Sequence, residues 1–330
     1  MPPAPAAAKL LVVTCDRLPA WILPAWGSTW AATAAAEVRC LEAVGRIDPA
    51  AEASGTHAAR LLGAVGEALA ADRLPVVWCH MAGLGVAWDA PAEFREAYAD
   101  PEDPPPHAGA AVPDLAVDAD TDPDVVVGMR QAFAGQLTHL DGLLGGLFQA
   151  AAGRHVLLAG IRGIGLGLHG RVGTGPLPPF GELVHVPAIL ADAGGRMAAQ
   201  RYGGLVVPAD LGATLLELVG RPAPAETDDP AAGRSLTGLL DDWSARPRDR
   251  VVVAGSRGTA LVTPGWHLLH EPGRPDRLYH KPDDYFELCD VADRCPTIVE
   301  ELGPLAAAAA AGDPRRGWLA DLSPAARAGA

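Results

Sequence analysis

The chain has 330 residues, of which 40 are acidic and 26 basic, so its formal net charge at neutral pH is −14. This surplus of carboxylates argues against a nucleic-acid-binding protein, because such proteins normally carry a basic face. With 49% hydrophobic and 20% charged residues, the chain can bury a sizeable core and is not intrinsically disordered. Asparagine is absent, and lysine occurs only at Lys9 and Lys281.

The first 220 residues alternate short apolar runs with helical segments, a pattern typical of a mostly parallel sheet with helices on both faces. Runs rich in β-branched residues and bounded by glycine or proline predict strands at 9–15, 74–79, 155–159, 183–190 and 205–207. Leucine and alanine at helical spacing predict helices at 56–71, 122–152 and 211–219. Residues 100–124, which are acidic and proline-rich, and residues 221–232 are predicted to be irregular loops.

From residue 250 the pattern changes to short strands separated by glycine or proline turns, which predicts an antiparallel sheet. The predicted strands are 251–254, 259–263, 266–270 and 278–280, followed by a helix at 295–302 and a frayed end beyond residue 311. The sequence therefore predicts an α/β core over residues 1–245 and a C-terminal antiparallel subdomain with its tail over residues 246–330.

The chain start and the cysteines favour a cytoplasmic protein. Residues 1–10 lack the apolar stretch of a secretory signal, and no window approaches the roughly 18 apolar residues of a membrane span. The five cysteines are scattered and include no CxxC pair, so they predict neither a zinc site nor a disulfide framework. We expect no membrane and no nucleic acid among the partners.

Polar side chains follow several of the predicted strands. Asp16 follows the first strand, His80 ends the second, and Arg162 and His169 follow the strand at 155–159. Ligands of open parallel sheets bind beyond the carboxyl ends of the strands, so these residues could converge at one edge. Aspartate with histidine could hold a metal, and arginine could hold an anion. A merely polar role remains open, since strand ends of any α/β protein carry such residues.

A series of segments in the right order resembles the sulfatase branch of the alkaline phosphatase superfamily. Residues 11–17 resemble its opening strand, whose terminal aspartate (here Asp16) is a metal ligand, and residues 156–170 stand where the family reads T-S-D-H-G followed by L-G-E-H-G. The other similar segments are 74–98, 139–145, 182–187, 207–216, 233–236 and 278–292. The resemblance implies the α/β fold of sulfatases with a small C-terminal antiparallel sheet and a helix, a divalent cation such as calcium, and hydrolysis of sulfuric esters.

The departures from the family pattern change the expected function. The C/S-x-P-S-R motif that yields the formylglycine nucleophile is absent, and the segment at 45–60, where it should fall, looks shorter than in the family. Ile161 and Arg162 replace the metal-binding D-H pair, Arg17 replaces a second aspartate, and Leu168 replaces the glutamate before His169. Only Asp16 remains as a remnant of the metal set. We therefore expect an Asp16–Arg162 ion pair in place of the cation, and no metal cofactor.

The first functional hypothesis is a sulfatase-like protein with a degenerate site, either catalytically inactive or retaining anion binding. Without a cation or a positioned nucleophile, the charge that develops on a transferred sulfuryl group has little to stabilise it. Arg17, Arg162 and Arg171 are the candidate anion-binding residues, and a sulfated or phosphorylated small molecule is the candidate partner. Internal ion pairing of these arginines remains an alternative.

Two further hypotheses stay open. The first is an active hydrolase of sulfate or phosphate esters with a rebuilt site, in which Ser54 or Thr56 attacks and His57, His80 or His169 acts as base or metal ligand. Ser54 to Thr56 equally suits a turn and a helix N-cap, which needs no chemistry. The second is an interaction or assembly module, with oligomerisation, because three of the eight tryptophans (Trp21, Trp26 and Trp30) cluster in one stretch and tryptophan is enriched at interfaces.

Overall fold

The fold was analysed in a computed structural model, which describes residues 8–18, 52–195, 201–221, 232–240, 242–246 and 248–328. The tryptophan cluster, residues 45–51 of the shortened segment and most of the predicted loop at 221–232 lie outside the described residues. The interpretations that depend on them stay predictions.

The described elements alternate between strands and helices up to residue 218 and form a strand meander followed by helices thereafter. The strands are β1 (Leu10–Cys15), β2 (Val76–Met81), β3 (Asp114–Ala116), β4 (His155–Gly160), β5 (Gly165–Leu166), β6 (Arg171–Gly173), β7 (Ala188–Ala191), β8 (Val251–Gly255), β9 (Gly258–Val262), β10 (Trp266–His270) and β11 (Arg277–His280). The helices are α1 (His57–Ala71), α2 (Ala92–Glu96), α3 (Pro123–Ala150), α4 (Gly181–Val184), α5 (Pro208–Leu218), α6 (Pro296–Ala310), α7 (Pro314–Leu319) and α8 (Pro324–Ala328).

The central sheet has the strand order β2-β1-β4-β7, in which β1 pairs in parallel with both β2 and β4 while β7 is antiparallel to β4. All six residues of β1 are buried, because both faces of this strand are covered. Leu11 and Val13 pack with side chains of α1 and α3 on one face, and Leu10 and Val12 pack with α5 on the other. The predicted α/β fold, a mostly parallel sheet with helices on both faces, is confirmed.

The C-terminal meander is the predicted antiparallel sheet, with the order β11-β10-β9-β8. Helix α6 packs on it, placing Ile298, Leu302 and Leu305 against Leu261 and Leu268. A third, small sheet has the order β3-β6-β5. It includes a short strand inside the stretch 100–124 that was expected to be irregular throughout.

Three element predictions were wrong. Residues 183–190 are not one strand: α4 comes first, and only Ala188–Ala191 pairs in the sheet, after the break at Pro187. Residues 205–207 form no strand and lead directly into α5, which begins at Pro208. The end beyond residue 311 is not frayed. It forms α7 and α8, and Trp266 of β10 donates its Nε1 hydrogen to the Ala325 carbonyl at 2.8 Å.

The parallel register places the carboxyl ends of β2, β1 and β4 at one edge of the sheet. Thr14 on β1 lies opposite His80 on β2, and Cys15 lies opposite Gly160 on β4. The residues that follow these strands are therefore neighbours, as expected from the sequence. Of the helices in the described ranges, none has both the length and the apolar character needed to cross a bilayer.

Candidate functional site

Asp16 and Arg162 form a bidentate ion pair at this edge of the sheet. The backbone amide of Asp16 donates to the Met81 carbonyl at 2.8 Å, and that of Ile161 donates to the Cys15 carbonyl at 3.0 Å, so both loops are fixed to the strand ends. Arg162 then donates from Nε to Asp16 Oδ1 at 2.8 Å and from Nη2 to Oδ2 at 3.0 Å. The contact expected from the sequence is present, although 57% of the Arg162 side chain is exposed.

Arg17 adds a second guanidinium beside the same carboxylate. Its Nε lies 3.6 Å from Asp16 Oδ2, is buried, and has no hydrogen-bond partner among the described residues. Its backbone has a left-handed φ of 61°. A Cβ at Gly85 would lie 2.8 Å from Arg17 Cγ, so a larger residue there would displace the Arg17 side chain. Burial, together with the charge of Arg162, lowers the pKa of Arg17.

The other predicted residues lie in different surroundings. His80 is exposed, and its Nδ1 lies 2.8 Å from the Thr14 hydroxyl, next to the edge. Arg171 lies in the small sheet and pairs with Asp114 at 2.7 Å rather than with Asp16.

His169 has both ring nitrogens in contact with oxygen atoms, and 8% of its side chain is exposed. Its Nδ1 lies 2.7 Å from Glu182 Oε1, its Nε2 lies 3.2 Å from the Glu287 carbonyl, and its ring stacks on Phe180 with centroids 3.5 Å apart. These contacts engage both nitrogens and one face of the ring.

Comparisons with known proteins identify the architecture. No family model and no curated protein matches the chain. Among solved structures, a phosphonate monoester hydrolase of Agrobacterium radiobacter is 17% identical with a TM-score of 0.61 and covers 83% of this chain. A 2-O GAG sulfatase is 15% identical with a TM-score of 0.59 and covers 97% of this chain.

The chain has a sulfatase-like fold. The fold implied by the sequence segments is thereby confirmed. The match extends over 96% of the GAG sulfatase but only 64% of the Agrobacterium enzyme. A phosphonate monoester hydrolase of Silicibacter pomeroyi, 18% identical with a TM-score of 0.52, is matched over 81% of this chain and 62% of its own length.

The residues at the sheet edge do not fit the divalent cation that sulfatases use. Both oxygens of Asp16 accept hydrogen bonds from Arg162, and Arg17 adds a second positive charge. Calcium needs six or more oxygen ligands, mostly charged, and two guanidinium groups repel a cation. No three His, Cys, Asp or Glu side chains within the described ranges are grouped to hold a metal ion.

Thr56, a candidate nucleophile, is the N-cap of α1 in this sulfatase-like fold. Its fully buried hydroxyl accepts from the Ala59 amide at 3.1 Å and donates to the Ala53 carbonyl at 3.1 Å. It also lies 2.8 Å from Nε2 of His139. Sequence reasoning missed this partner, which lies 83 residues away.

We expect Thr56→Ala to destabilise the protein by about 2 kcal/mol. The substitution removes a helix cap, which costs about 1 kcal/mol, and leaves Nε2 of the buried His139 without its hydrogen-bond partner, which costs about as much again. Urea unfolding measures the loss, and Thr56→Ser, which keeps all three contacts, is the control, with a smaller loss of about 0.8 kcal/mol for one buried methyl group. Equal losses in the two variants would contradict the capping role.

His57 and Asp89 form a second pair that the sequence did not single out together. Asp89 Oδ2 accepts from the His57 amide at 2.7 Å and lies 2.7 Å from His57 Nδ1. Asp89 is buried, whereas 26% of the His57 side chain is exposed. Ser54, three residues earlier, is exposed, and its hydroxyl lies 3.5 Å from Glu52 Oε2. The pair fixes the orientation of a partly exposed imidazole.

Proposed function

We propose that the protein is a catalytically inactive, sulfatase-like protein that binds a singly charged anion, such as a sulfate ester, at the carboxyl edge of its central sheet. The observation that carries the proposal is the bidentate Asp16–Arg162 ion pair. It occupies the one carboxylate that the resemblance assigns to the metal, and it supplies the compensating positive charge from the chain itself.

The absence of catalysis is supported by the state of three candidate nucleophiles in the described part of the chain, Cys15, Cys79 and Thr56. Burial raises the pKa of the Cys15 and Cys79 thiols to about 12, so neither forms a thiolate near neutral pH. The Thr56 hydroxyl is fully buried and engaged in capping. A displacement at sulfur or phosphorus needs an activated nucleophile in contact with the ester, and none of these three groups meets that requirement.

Anion binding is supported by the charge balance. Two guanidinium groups, Arg17 and Arg162, face one carboxylate, which leaves one positive charge in excess. The buried Nε of Arg17 is a hydrogen-bond donor without an acceptor among the described residues. A charge-assisted hydrogen bond from such a donor to an anionic ligand contributes more binding free energy than one between neutral groups.

The test is titration with 4-nitrophenyl sulfate, combined with a turnover assay in added calcium, magnesium or manganese. We expect binding without turnover, and about tenfold weaker binding in Arg17→Gln, which corresponds to one lost charge-assisted hydrogen bond. Arg73→Gln, at an exposed arginine after α1, is the matched control. Metal-dependent turnover that disappears in Asp16→Asn would overturn the proposal.

The His57–Asp89 pair favours a second candidate, a hydrolase of sulfate or phosphate esters with a rebuilt site. In that case Ser54 attacks and His57, oriented by Asp89, removes its proton. Turnover of 4-nitrophenyl phosphate or sulfate that is lost in both Ser54→Ala and His57→Gln would support this candidate over the first.

A further inference from the structure

A cavity of about 360 Å³ lies between the segment 168–180 of the central part and the turns of the C-terminal sheet. Its walls come from the loop around His169 and Phe180, from the β8–β9 turn and from the β10–β11 turn. Asp16, Arg17 and Arg162 do not line it, so it is separate from the site described above.

Positive charge dominates the lining of this cavity. Arg257, Arg274 and Arg277 contribute three guanidinium groups, whereas Glu271 contributes the single carboxylate in the lining. The excess is therefore two positive charges, in a chain whose formal net charge is −14. A concentrated charge of this sign in an otherwise acidic protein attracts anions to one place.

One of the arginines, Arg277, is held in position before any ligand arrives. Its Nη2 lies 2.6 Å from Oε1 of the buried Glu271, and its guanidinium carbon lies 4.8 Å from the centre of the Phe180 ring. A preorganised donor of this kind loses little side-chain freedom on binding. Arg274 is exposed, and its Nη1 lies 3.7 Å from the other Glu271 oxygen, which is an ion pair beyond hydrogen-bond distance.

Arg257 is exposed in the turn between β8 and β9, and unlike Arg274 and Arg277 it forms no ion pair within the described ranges. Its guanidinium is therefore available to a ligand. The opposite wall is apolar and includes Leu168, Leu177 and Pro178. The cavity thus combines cationic donors with a surface for a small organic group.

We propose that this cavity binds a small phosphate monoester. A phosphate monoester carries close to two negative charges above its second pKa of about 6, which balances the charge excess of the lining. Its oxygens match the paired donors of guanidinium groups. A sulfate ester carries one charge only and would leave one arginine uncompensated. The volume admits a ligand with one ring.

The test compares 4-nitrophenyl phosphate with 4-nitrophenyl sulfate by calorimetric titration at pH 8, where the phosphate is fully dianionic. We expect Arg257→Gln to weaken phosphate binding about tenfold, because one charge-assisted contact is lost, and to leave sulfate binding unchanged. Arg73→Gln is again the control. Arg257 makes no ion pair in the described part of the chain, so this variant is expected to fold, and its thermal melting confirms that.

The outcomes separate the cavity from the site at the sheet edge. Unchanged phosphate binding in Arg257→Gln overturns the proposal, as does an equal loss for phosphate and sulfate. Loss of phosphate binding in Arg17→Gln, but not in Arg257→Gln, assigns phosphate to the sheet edge and also overturns it. Failure of sulfate to bind at all would remove the proposed function and leave the cavity proposal standing.

Discussion

Asp210→Ala is expected to lower the free energy of unfolding by about 3–5 kcal/mol, the usual cost of removing one partner of a buried ion pair. Asp210 is fully buried and receives Arg248 Nε at 3.0 Å and Nη2 at 2.5 Å. The same carboxylate accepts the backbone amides of Val207 and Arg234, each at 2.8 Å. Its loss leaves the Arg248 charge buried beside an unfilled space.

Urea unfolding of the variant measures this loss. Asp141→Ala is the control: Asp141 lies on the exposed side of α3, and its replacement is expected to change the free energy by less than about 0.5 kcal/mol. The double variant Asp210→Ala/Arg248→Met should recover part of the stability, because it removes the uncompensated charge. A loss in Asp210→Ala no larger than in Asp141→Ala would contradict the role of the pair.

The parts of the fold that the sequence predicted well are those in which neighbouring residues decide the structure. The strand Trp266–His270 was predicted at its observed bounds, because a Pro-Gly turn before the apolar run and a second proline after it mark where the strand begins and ends. That Asp16 and Arg162 are neighbours followed from a general property of parallel sheets, namely that the carboxyl ends of adjacent strands meet at one edge. Their ion pair was predicted from the resemblance to sulfatases, which makes Asp16 a metal ligand and places Arg162 where the metal site would be.

The parts that were missed depend on contacts between distant residues. Residues 205–207 have strand-like composition but pair with no strand in the described part of the chain. The tail beyond residue 311 forms α7 and α8, which pack on the C-terminal sheet. Thr56 and His139 are 83 residues apart, and no local spacing indicates their contact. Arg257 and Arg274 lie in turns and Arg277 lies at the start of β11, so hydrophobic periodicity does not indicate that they share one cavity.

Glu287 is the second residue whose replacement is expected to have a large effect. Its carboxylate is 1% exposed and lies 2.7 Å from Lys281 Nζ and 2.9 Å from His267 Nδ1, and it accepts the Gly181 amide at 2.6 Å. Burial by itself raises the pKa of Glu287, but the attraction and hydrogen bonds of His267 and Lys281 outweigh burial and hold the pKa at about 2. The carboxylate therefore joins α4 of the central part to the C-terminal segment.

The sign of the pH dependence follows from this lowered pKa. The folded state binds the proton more weakly than the unfolded state, whose pKa is about 4.5, so the contribution of Glu287 is complete above pH 5 and is lost as the pH falls towards 2. A difference of about 2.5 in pKa corresponds to about 3 kcal/mol.

We expect Glu287→Gln to be less stable than the wild type by about this amount at pH 7, with most of the difference gone at pH 2. Urea unfolding of both proteins across this range measures the difference directly and cancels the titration of the other carboxylates. A difference that stays constant with pH would show that the Glu287 charge does not stabilise the junction.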